Sequence, residues 1–189
     1  MVKHRMRKRD LPRVIFITDC ERAPHWAEII AGLPASSAVI IRDYNHSERE
    51  AYARQIVTFA KRCGVKALVA GDAVLARKVY ADGFHMPEYQ LCQSMPSRHG
   101  FSLVTAAAKS QKSRLRAATL GVDMVLCSPI FKTLSHSGAQ GMGMHRLSRM
   151  IARSPVPVVA LGGINDTTLK KLNGTGLAAF AAIDGLSKV

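Results

Sequence analysis

The sequence predicts an α/β fold: a single (βα)8 TIM barrel in which the eighth helix is missing or very short. Short apolar runs rich in Val, Ile, Leu and Ala alternate along the chain with amphipathic or polar stretches. These runs recur at a spacing of roughly 20 residues, which is typical of parallel βα units. An open doubly wound sheet would also satisfy this alternation, but no Gly-x-Gly-x-x-Gly motif follows the first strand, which favours the barrel.

Each predicted strand is a run of apolar residues of the kind found in strands buried on both faces. The predicted strands span residues 14–18, 38–41, 66–70, 83–86, 101–104, 123–127, 157–161 and 177–181. The predicted helices span residues 24–32, 47–62 with Ser47 as the cap, 73–80, 107–120, 145–152 and 166–172. Only residues 184–189 remain for an eighth helix. We therefore expect a second subunit, giving a homo-oligomer, or the N-terminal segment to cover the groove left there.

Composition indicates one domain with a basic extension. The chain has 189 residues and a mean hydropathy of +0.04, which is enough apolar material for one core. Residues 1–12 are predicted to be a basic, disordered tail, and residues 13–189 the barrel. No apolar run approaches the roughly 18 residues that span a bilayer, so we expect a cytoplasmic protein that does not enter a membrane. The four cysteines form no C-x-x-C pair and do not indicate a metal or redox motif.

The formal net charge of +14 comes from 27 basic and 13 acidic residues. One interpretation is a basic arm that contacts nucleic acid. The other is a solvated tail attached to a barrel that handles anionic substrates. Aromatic residues make up only 6% of the chain, too few for a base-stacking platform. We therefore expect a phosphorylated small molecule, and not nucleic acid, as the partner.

The strongest candidate for ligand binding follows the seventh predicted strand. Parallel barrels bind ligands at the carboxyl ends of their strands, and Gly162 and Gly163 lie at such an end, just before a helix. Glycine permits unusual dihedral angles and a close approach of the backbone to a ligand. Backbone N–H groups at this turn could bind a phosphate, although the same residues would also suit a plain tight turn.

Other polar residues at predicted strand ends have two interpretations each. Arg42 could neutralise a phosphate or pyrophosphate, or it could pair with Asp43 or Glu88. Asp72 could bind Mg²⁺, or it could cap the following helix. His85 lies inside the fourth strand, where a structural histidine is more common than a catalytic one. The loop 128–141 would suit a mobile cover over a substrate or a simple connector.

Several motifs together carry a resemblance to a known family. They are Ile17-Thr18-Asp19, Arg42-Asp43, Gly83-Phe84-His85-Met86, Ser128-Pro129-Ile130-Phe131-Lys132-Thr133, and the run from Pro155 to Ile164. In this order they resemble the thiamine phosphate synthase family, which also contains the thiazole tautomerases. The resemblance extends over residues 14–183, and the last two motifs are the most specific.

The resemblance implies a (βα)8 barrel that joins a pyrimidine pyrophosphate to a thiazole phosphate with Mg²⁺, a transferase reaction. It implies that backbone N–H groups of Gly162, Gly163, Ala181 and Ala182 hold the thiazole phosphate. It also implies a substrate-binding group at the pyrimidine side and in the loop after the sixth strand. The members of that group are Arg42, Ser102, Thr133, Ser135 and, at the position of a family lysine, His136.

The chain departs from the family pattern at the metal and pyrophosphate residues. The family motif Gln-x-Arg-x-Lys appears as Ile40, Arg42 and Tyr44, and an asparagine before Asp72 appears as Gly71. A second metal carboxylate falls at Gln90, and of the residues nearby only Glu88 could substitute for it. A serine of the eighth strand falls at Ala181, and the tautomerase pattern Ser-x-His falls at Ser102-Leu103-Val104. The hypotheses are therefore a thiamine phosphate synthase-like enzyme, a non-catalytic phosphate-ligand binder or regulator, and a thiazole tautomerase-like protein.

Overall fold

The structure, a computed structural model, describes residues 11–132, 141–183 and 186. Its eight strands are β1 Val14–Ile17, β2 Ala38–Ile41, β3 Lys66–Ala70, β4 Gly83–Met86, β5 Leu103–Ala107, β6 Met124–Cys127, β7 Val158–Leu161 and β8 Ala179–Ala182. All neighbouring strands are parallel, and they form one closed barrel in chain order. Closure is made by β8 and β1, where Ala181 pairs with Ile15. The predicted (βα)8 barrel is confirmed.

Six α-helices lie between the strands in the part of the chain that the structure describes. They are α1 Trp26–Gly32, α2 Arg49–Arg62, α3 Ala73–Lys78, α4 Gln111–Thr119, α5 Met144–Arg153 and α6 Asp166–Leu172. A 3₁₀ helix, Glu88–Cys92, stands between β4 and β5 in place of an α-helix. None of these helices is long and apolar enough to cross a membrane. After β8 only Ile183 and Leu186 are described, so the expectation of a missing or very short eighth helix falls mostly outside the described residues.

Two apolar layers hold the barrel together. Alternate residues of each strand point into the barrel, where Ile15, Ile40 and Leu68 share one inner cluster. The other face of the strands packs against the helices, where Phe16 and Ile56 belong to a larger outer cluster. Helix α2 supplies that face through buried residues at helical spacing, namely Ala53, Ile56, Val57 and Ala60.

Three expectations about local structure need correction or a limit. The fifth strand begins at Leu103 instead of Phe101, because the ladder to β4 starts where Gly83 pairs with Leu103. Ser47 does not cap α2; the cap position is Glu48, and no side chain caps it. The expected tail, residues 1–12, lies almost entirely outside the described residues. Of that stretch, Leu11 is buried with the inner cluster of the barrel.

Candidate functional site

The turn after β7 consists of two consecutive glycines with left-handed backbone. Gly162 has a φ of 93° and Gly163 a φ of 69°, angles that residues with a Cβ rarely adopt. Strand β8 ends beside this turn, since Leu161 pairs with Ala181. The structure therefore brings the four candidate phosphate-binding residues, the two glycines with Ala181 and Ala182, to adjacent strand ends.

Space restricts the turn to glycine as strongly as the backbone angles do. A Cβ on Gly163 would lie 2.6 Å from the carbonyl oxygen of Lys132 and 2.7 Å from the Cβ of Phe131. A Cβ on Gly162 would lie 3.1 Å from the Cα of Pro129. The Phe131 N–H also donates to the Gly162 carbonyl at 3.1 Å. The segment after β6 thus packs directly against the turn and depends on the absence of side chains there.

Two backbone N–H donors of the turn have no acceptor among the described protein groups. Within the described ranges, no protein group accepts a hydrogen bond from the N–H of Gly163 or Ile164. The side chain of Asn165 accepts instead from Thr167 and Thr168 at 3.1 and 3.0 Å and so caps α6. Two adjacent N–H groups without a protein partner can donate together to an oxyanion such as phosphate.

The ends of β1 and β2 are joined by a polar network around Arg42. Its guanidinium donates from Nη2 to Oδ2 of Asp19 at 3.0 Å, and its side chain is 38% exposed. Its backbone N–H donates to Oγ1 of Thr18 at 3.0 Å. The Thr18 hydroxyl in turn donates to Asp43, and the other oxygen of that carboxylate accepts the Cys20 N–H at 2.7 Å. Arg42 therefore pairs with Asp19, and not with Asp43 or Glu88.

A buried histidine occupies the end of β4. His85 is 7% exposed, and its Nδ1 lies 2.8 Å from Oγ1 of Thr105 on the neighbouring strand β5. Burial, together with the positive charge of Arg42, lowers the pKa of His85 from 6.5 to about 4. The imidazole is therefore neutral near pH 7, and it can exchange one hydrogen bond with the threonine but carries no charge for an anion.

The strand ends where the family resemblance implies Mg²⁺ hold no cluster of free carboxylates. The Asp72 carboxylate accepts the Leu75 N–H at 2.8 Å and caps α3. Gln90, at the position of the second family carboxylate, donates from Nε2 to the Gly71 carbonyl at 2.8 Å. Over residues 11–132, 141–183 and 186, no three His, Cys, Asp or Glu side chains are grouped so as to hold a metal ion. The described side chains of Asp72 and Gln90 are thus already bonded to backbone groups.

An aromatic ring fills the space beside Gly71. A Cβ at this position would lie 2.9 Å from Cε1 of Tyr44, and Gly71 itself has a φ of 76°. The guanidinium of Arg49 lies over the Tyr44 ring, 5.5 Å from its centroid. Burial raises the pKa of Tyr44, so its phenol stays neutral. The tyrosine that replaces the family lysine and the glycine that replaces the family asparagine are thus packed against each other.

Of the remaining predicted substrate residues, only Ser102 is described, and it is not at this end of the barrel. Ser102 precedes β5 and lies at the opposite, amino-terminal end, where its hydroxyl donates to the Asp82 carbonyl at 3.1 Å. Thr133, Ser135 and His136 lie outside the described residues. Because β5 ends at Ala107, the positions that follow it at the mouth are Ala108 and Lys109, neither of which is a histidine.

Sequence reasoning missed one residue of the site, Thr105, and the contacts of Tyr44 and Gln90 with Gly71. Thr105 was overlooked because the fifth strand was predicted two residues too early, and its alternation with Leu103 along the strand could have identified it as inward-facing. The packing of Tyr44 on Gly71 and the bond of Gln90 to the Gly71 carbonyl carry no local sequence signal. They depend on the pairing of strands that are distant in the chain.

Comparison with known proteins agrees with this architecture. The family model described as "Thiamine monophosphate synthase" matches residues 14–186. A protein of Aquifex aeolicus named "Putative thiamine-phosphate synthase 2" is 30% identical over 180 residues, which cover 92% of this chain and 97% of that one. The thiamine-phosphate synthase of Limosilactobacillus reuteri is 30% identical over 141 residues, covering 72% of this chain and 66% of its own.

A solved structure shows the same fold at lower sequence identity. The thiamine phosphate pyrophosphorylase from Pyrococcus furiosus superposes with a TM-score of 0.75 at 21% identity. The superposition covers 96% of this chain and 92% of that one. The family match spans all eight strands of the barrel and includes the glycine turn after β7. The chain therefore belongs to the thiamine monophosphate synthase family.

Proposed function

We propose that this chain is a thiamine phosphate synthase-like protein that binds a phosphorylated thiazole at the Gly162–Gly163 turn and couples it to pyrimidine pyrophosphate slowly. One observation carries the proposal. The turn of two left-handed glycines presents the adjacent N–H groups of Gly163 and Ile164 beside the end of β8, and neither has an acceptor among the described residues. Oriented backbone N–H groups favour a phosphate, and a Cβ on Gly163 would collide with the segment after β6 that packs against the turn.

The slow coupling follows from the opposite side of the mouth. Three positions that would hold Mg²⁺ and pyrophosphate in the family pattern carry Tyr44, Gly71 and Gln90. Tyr44 packs beside Gly71, and Gln90 donates to the Gly71 carbonyl. For each charge-assisted hydrogen bond that these residues cannot make, the bound pyrophosphate forgoes about 1.5–3 kcal/mol of stabilisation. We derive no step through a metal ion, because the carboxylate that remains, Asp72, caps a helix.

Arg42 is a cation that this chain offers to the pyrimidine side. Its guanidinium is partly exposed and is oriented by one bond to Asp19, so other N–H donors of the fork are left for a diphosphate oxygen. The positive charge of that guanidinium contributes to the lowered pKa of His85. In this proposal Arg42 binds and orients the pyrimidine pyrophosphate, and His85 with Thr105 maintains the polar floor of the mouth.

Two measurements test the proposal separately. Isothermal titration calorimetry with thiazole phosphate should give one site per chain, and the variant Gly163→Ala should abolish it while Gly174→Ala leaves it intact. An end-point assay with both phosphorylated substrates and Mg²⁺ should give thiamine phosphate at a low rate that falls further in Arg42→Gln. Absence of thiazole phosphate binding would overturn the proposal.

A second candidate function is a non-catalytic binder of the same ligand. The bond between Gln90 and the Gly71 carbonyl favours it, because this bond occupies the amide where a metal carboxylate would be needed. Binding of thiazole phosphate without any thiamine phosphate at high protein concentration would select this candidate over the slow enzyme.

We also propose a cellular location and an oligomeric state for the protein. We expect it to act in the cytoplasm, and we expect a second subunit to cover the groove between α6 and α1. Sedimentation velocity at several protein concentrations tests the subunit expectation, since a strictly monomeric profile would reject it.

A further inference from the structure

A second cleft, lined by positive charge, lies on the outside of the barrel between α4 and α5. It has a volume of about 410 Å³. The basic residues that line it are Lys109, Arg114, Arg146, Arg149 and Arg153. Ser128 and Pro129, which follow β6, form its end nearest the mouth of the barrel. No acidic residue lines the cleft among the residues that the structure describes.

The positive charge arises from a strongly biased stretch of sequence. Between Glu88 and Asp166 the chain contains a single acidic residue, Asp123. The lysines and arginines of the same stretch are Arg98, Lys109, Lys112, Arg114, Arg116, Lys132, Arg146, Arg149 and Arg153. Asp123 is already paired with Arg98 at 2.6 Å. Residues 133–140 of this stretch likewise include no aspartate or glutamate.

Helix geometry concentrates these charges on one surface. Arg146, Arg149 and Arg153 are three and four residues apart on α5, a spacing that places them on a single face of a helix. Like charges at such a spacing repel one another. None of the three forms an ion pair with any described residue. An anion bound between α4 and α5 would relieve this repulsion.

Arg114 provides an independent sign that the cleft accepts an anion. It is only 7% exposed, and its Nε has no hydrogen-bond partner. Its Nη1 donates to the Lys109 carbonyl at 3.0 Å. Burial raises the pKa of the neighbouring Cys127 thiol, and the positive charge of Arg114 partly offsets this increase. No carboxylate in the described parts of the chain pairs with this guanidinium; Glu88 accepts the Lys109 N–H instead. A buried cation without a counter-charge is costly.

We propose that the α4–α5 cleft is a binding site for a compact anion with two or more linked phosphate groups. The volume accommodates a small molecule, and the five cations match the several negative charges of a phosphoanhydride chain. No aromatic residue lines the cleft in the described ranges, so it offers no stacking surface of the kind that single-stranded nucleic acids use. A second copy of this chain is a poor occupant, because its formal net charge is +14.

The cleft is separate from the phosphate turn but touches the same segment. Pro129 lines the cleft and is also the residue that a Cβ on Gly162 would meet. The segment after β6 therefore lies between the two sites. The inference does not rest on the proposed function, because none of the five basic residues belongs to the glycine turn or to the network around Arg42.

The experiment measures binding of inorganic pyrophosphate and tripolyphosphate to the full chain by calorimetry at fixed ionic strength. The variant Arg146→Gln/Arg149→Gln removes two exposed cations from the cleft and keeps a good helix former. The control Lys170→Gln/Lys171→Gln removes two cations from α6. We expect the Kd of pyrophosphate to rise about tenfold or more in the cleft variant, and to stay within about twofold in the control.

A third variant, Arg42→Gln, separates the cleft from the mouth. Binding that survives Arg42→Gln and disappears in Arg146→Gln/Arg149→Gln supports the cleft. If binding disappears only in Arg42→Gln, the anion binds at the mouth of the barrel, and the proposal is overturned. Equal weakening in the cleft variant and the lysine control would indicate a nonspecific charge effect, and undetectable binding of both probes would likewise overturn it. Melting curves of each variant confirm that the compared proteins are folded.

Discussion

Substitution of Gly163 by alanine tests the central claim that the turn after β7 must be glycine. The change adds one methyl group at a φ of 69°, and its carbon would lie 2.6 Å from the Lys132 carbonyl oxygen and 2.7 Å from the Phe131 Cβ. The backbone angle and the two close approaches therefore act together. We expect the segment after β6 to be displaced and thiazole phosphate binding to be abolished.

The magnitude follows from two separate costs. A residue with a Cβ in left-handed backbone costs roughly 1–2 kcal/mol. An added carbon forced into a packed space costs about 1–3 kcal/mol more. The free energy of unfolding of Gly163→Ala should thus fall by about 2–5 kcal/mol, which urea denaturation followed by circular dichroism can measure.

Gly174 provides a matched control. Its φ is 76°, but a Cβ at this position would have no atom within 4 Å, so Gly174→Ala should lose only the backbone cost of roughly 1–2 kcal/mol. It should leave thiazole phosphate binding unchanged. If Gly163→Ala is no less stable than Gly174→Ala, or still binds the ligand with unchanged affinity, the reasoning about the turn is refuted.

Three further predictions concern the polar groups of the barrel. Because burial lowers the pKa of His85 from 6.5 to about 4, the unfolded chain takes up a proton first as the pH falls. Stability should drop by about 2 kcal/mol between pH 7 and pH 5, and urea titrations of His85→Gln should lack this component. Asp123→Asn should lower the free energy of unfolding by about 3–5 kcal/mol, because the Asp123 carboxylate is 1% exposed and bonded to Arg98 and the Val104 N–H; a drop of less than about 1 kcal/mol would contradict this. Asp72→Ala should lower the free energy of unfolding by about 1 kcal/mol, because it removes a helix cap. The affinity for thiazole phosphate should not depend on Mg²⁺ in either protein. A Mg²⁺ dependence that this change abolishes would identify Asp72 as a metal ligand.

The barrel could be predicted because its strands are continuous apolar runs that end at polar or glycine residues. Strands such as Ala38–Ile41 and Gly83–Met86 have the predicted bounds, since buried parallel strands leave that pattern in any sequence. The fifth strand is predicted too early because Phe101 carries a stronger strand signal than Ala106 and Ala107. That shift places Ser102 at the wrong end of the barrel in the prediction.

The candidate site divides into a part that local sequence encodes and a part that it does not. The glycine pair at the end of an apolar run is a local signal for a turn with unusual dihedral angles, and both glycines have a positive φ. The contacts around Gly71 are not encoded in local sequence. They depend on Tyr44, which follows β2, packing on Gly71, which follows β3, and on Gln90 donating to the Gly71 carbonyl. The spacing of the arginines on α5 is local too, but only the fold shows that Arg114 lines the same cleft.

The charge distribution connects these features. At the ends of β2 and β3, the described neighbours of Gly71 include a neutral phenol ring and a neutral amide. The other cation there, Arg49, is already bonded to the Ala70 carbonyl and lies 3.9 Å from Asp72. The positive charge along α4 and α5, outside the barrel, is by contrast dense and has few carboxylates near it in the sequence. Because several cations together stabilise linked phosphates, we propose that free linked phosphates bind at the cleft and a single phosphate at the glycine turn. The mouth then holds the pyrimidine pyrophosphate through Arg42 with few other charge-assisted bonds, and we therefore expect ligand binding to exceed turnover.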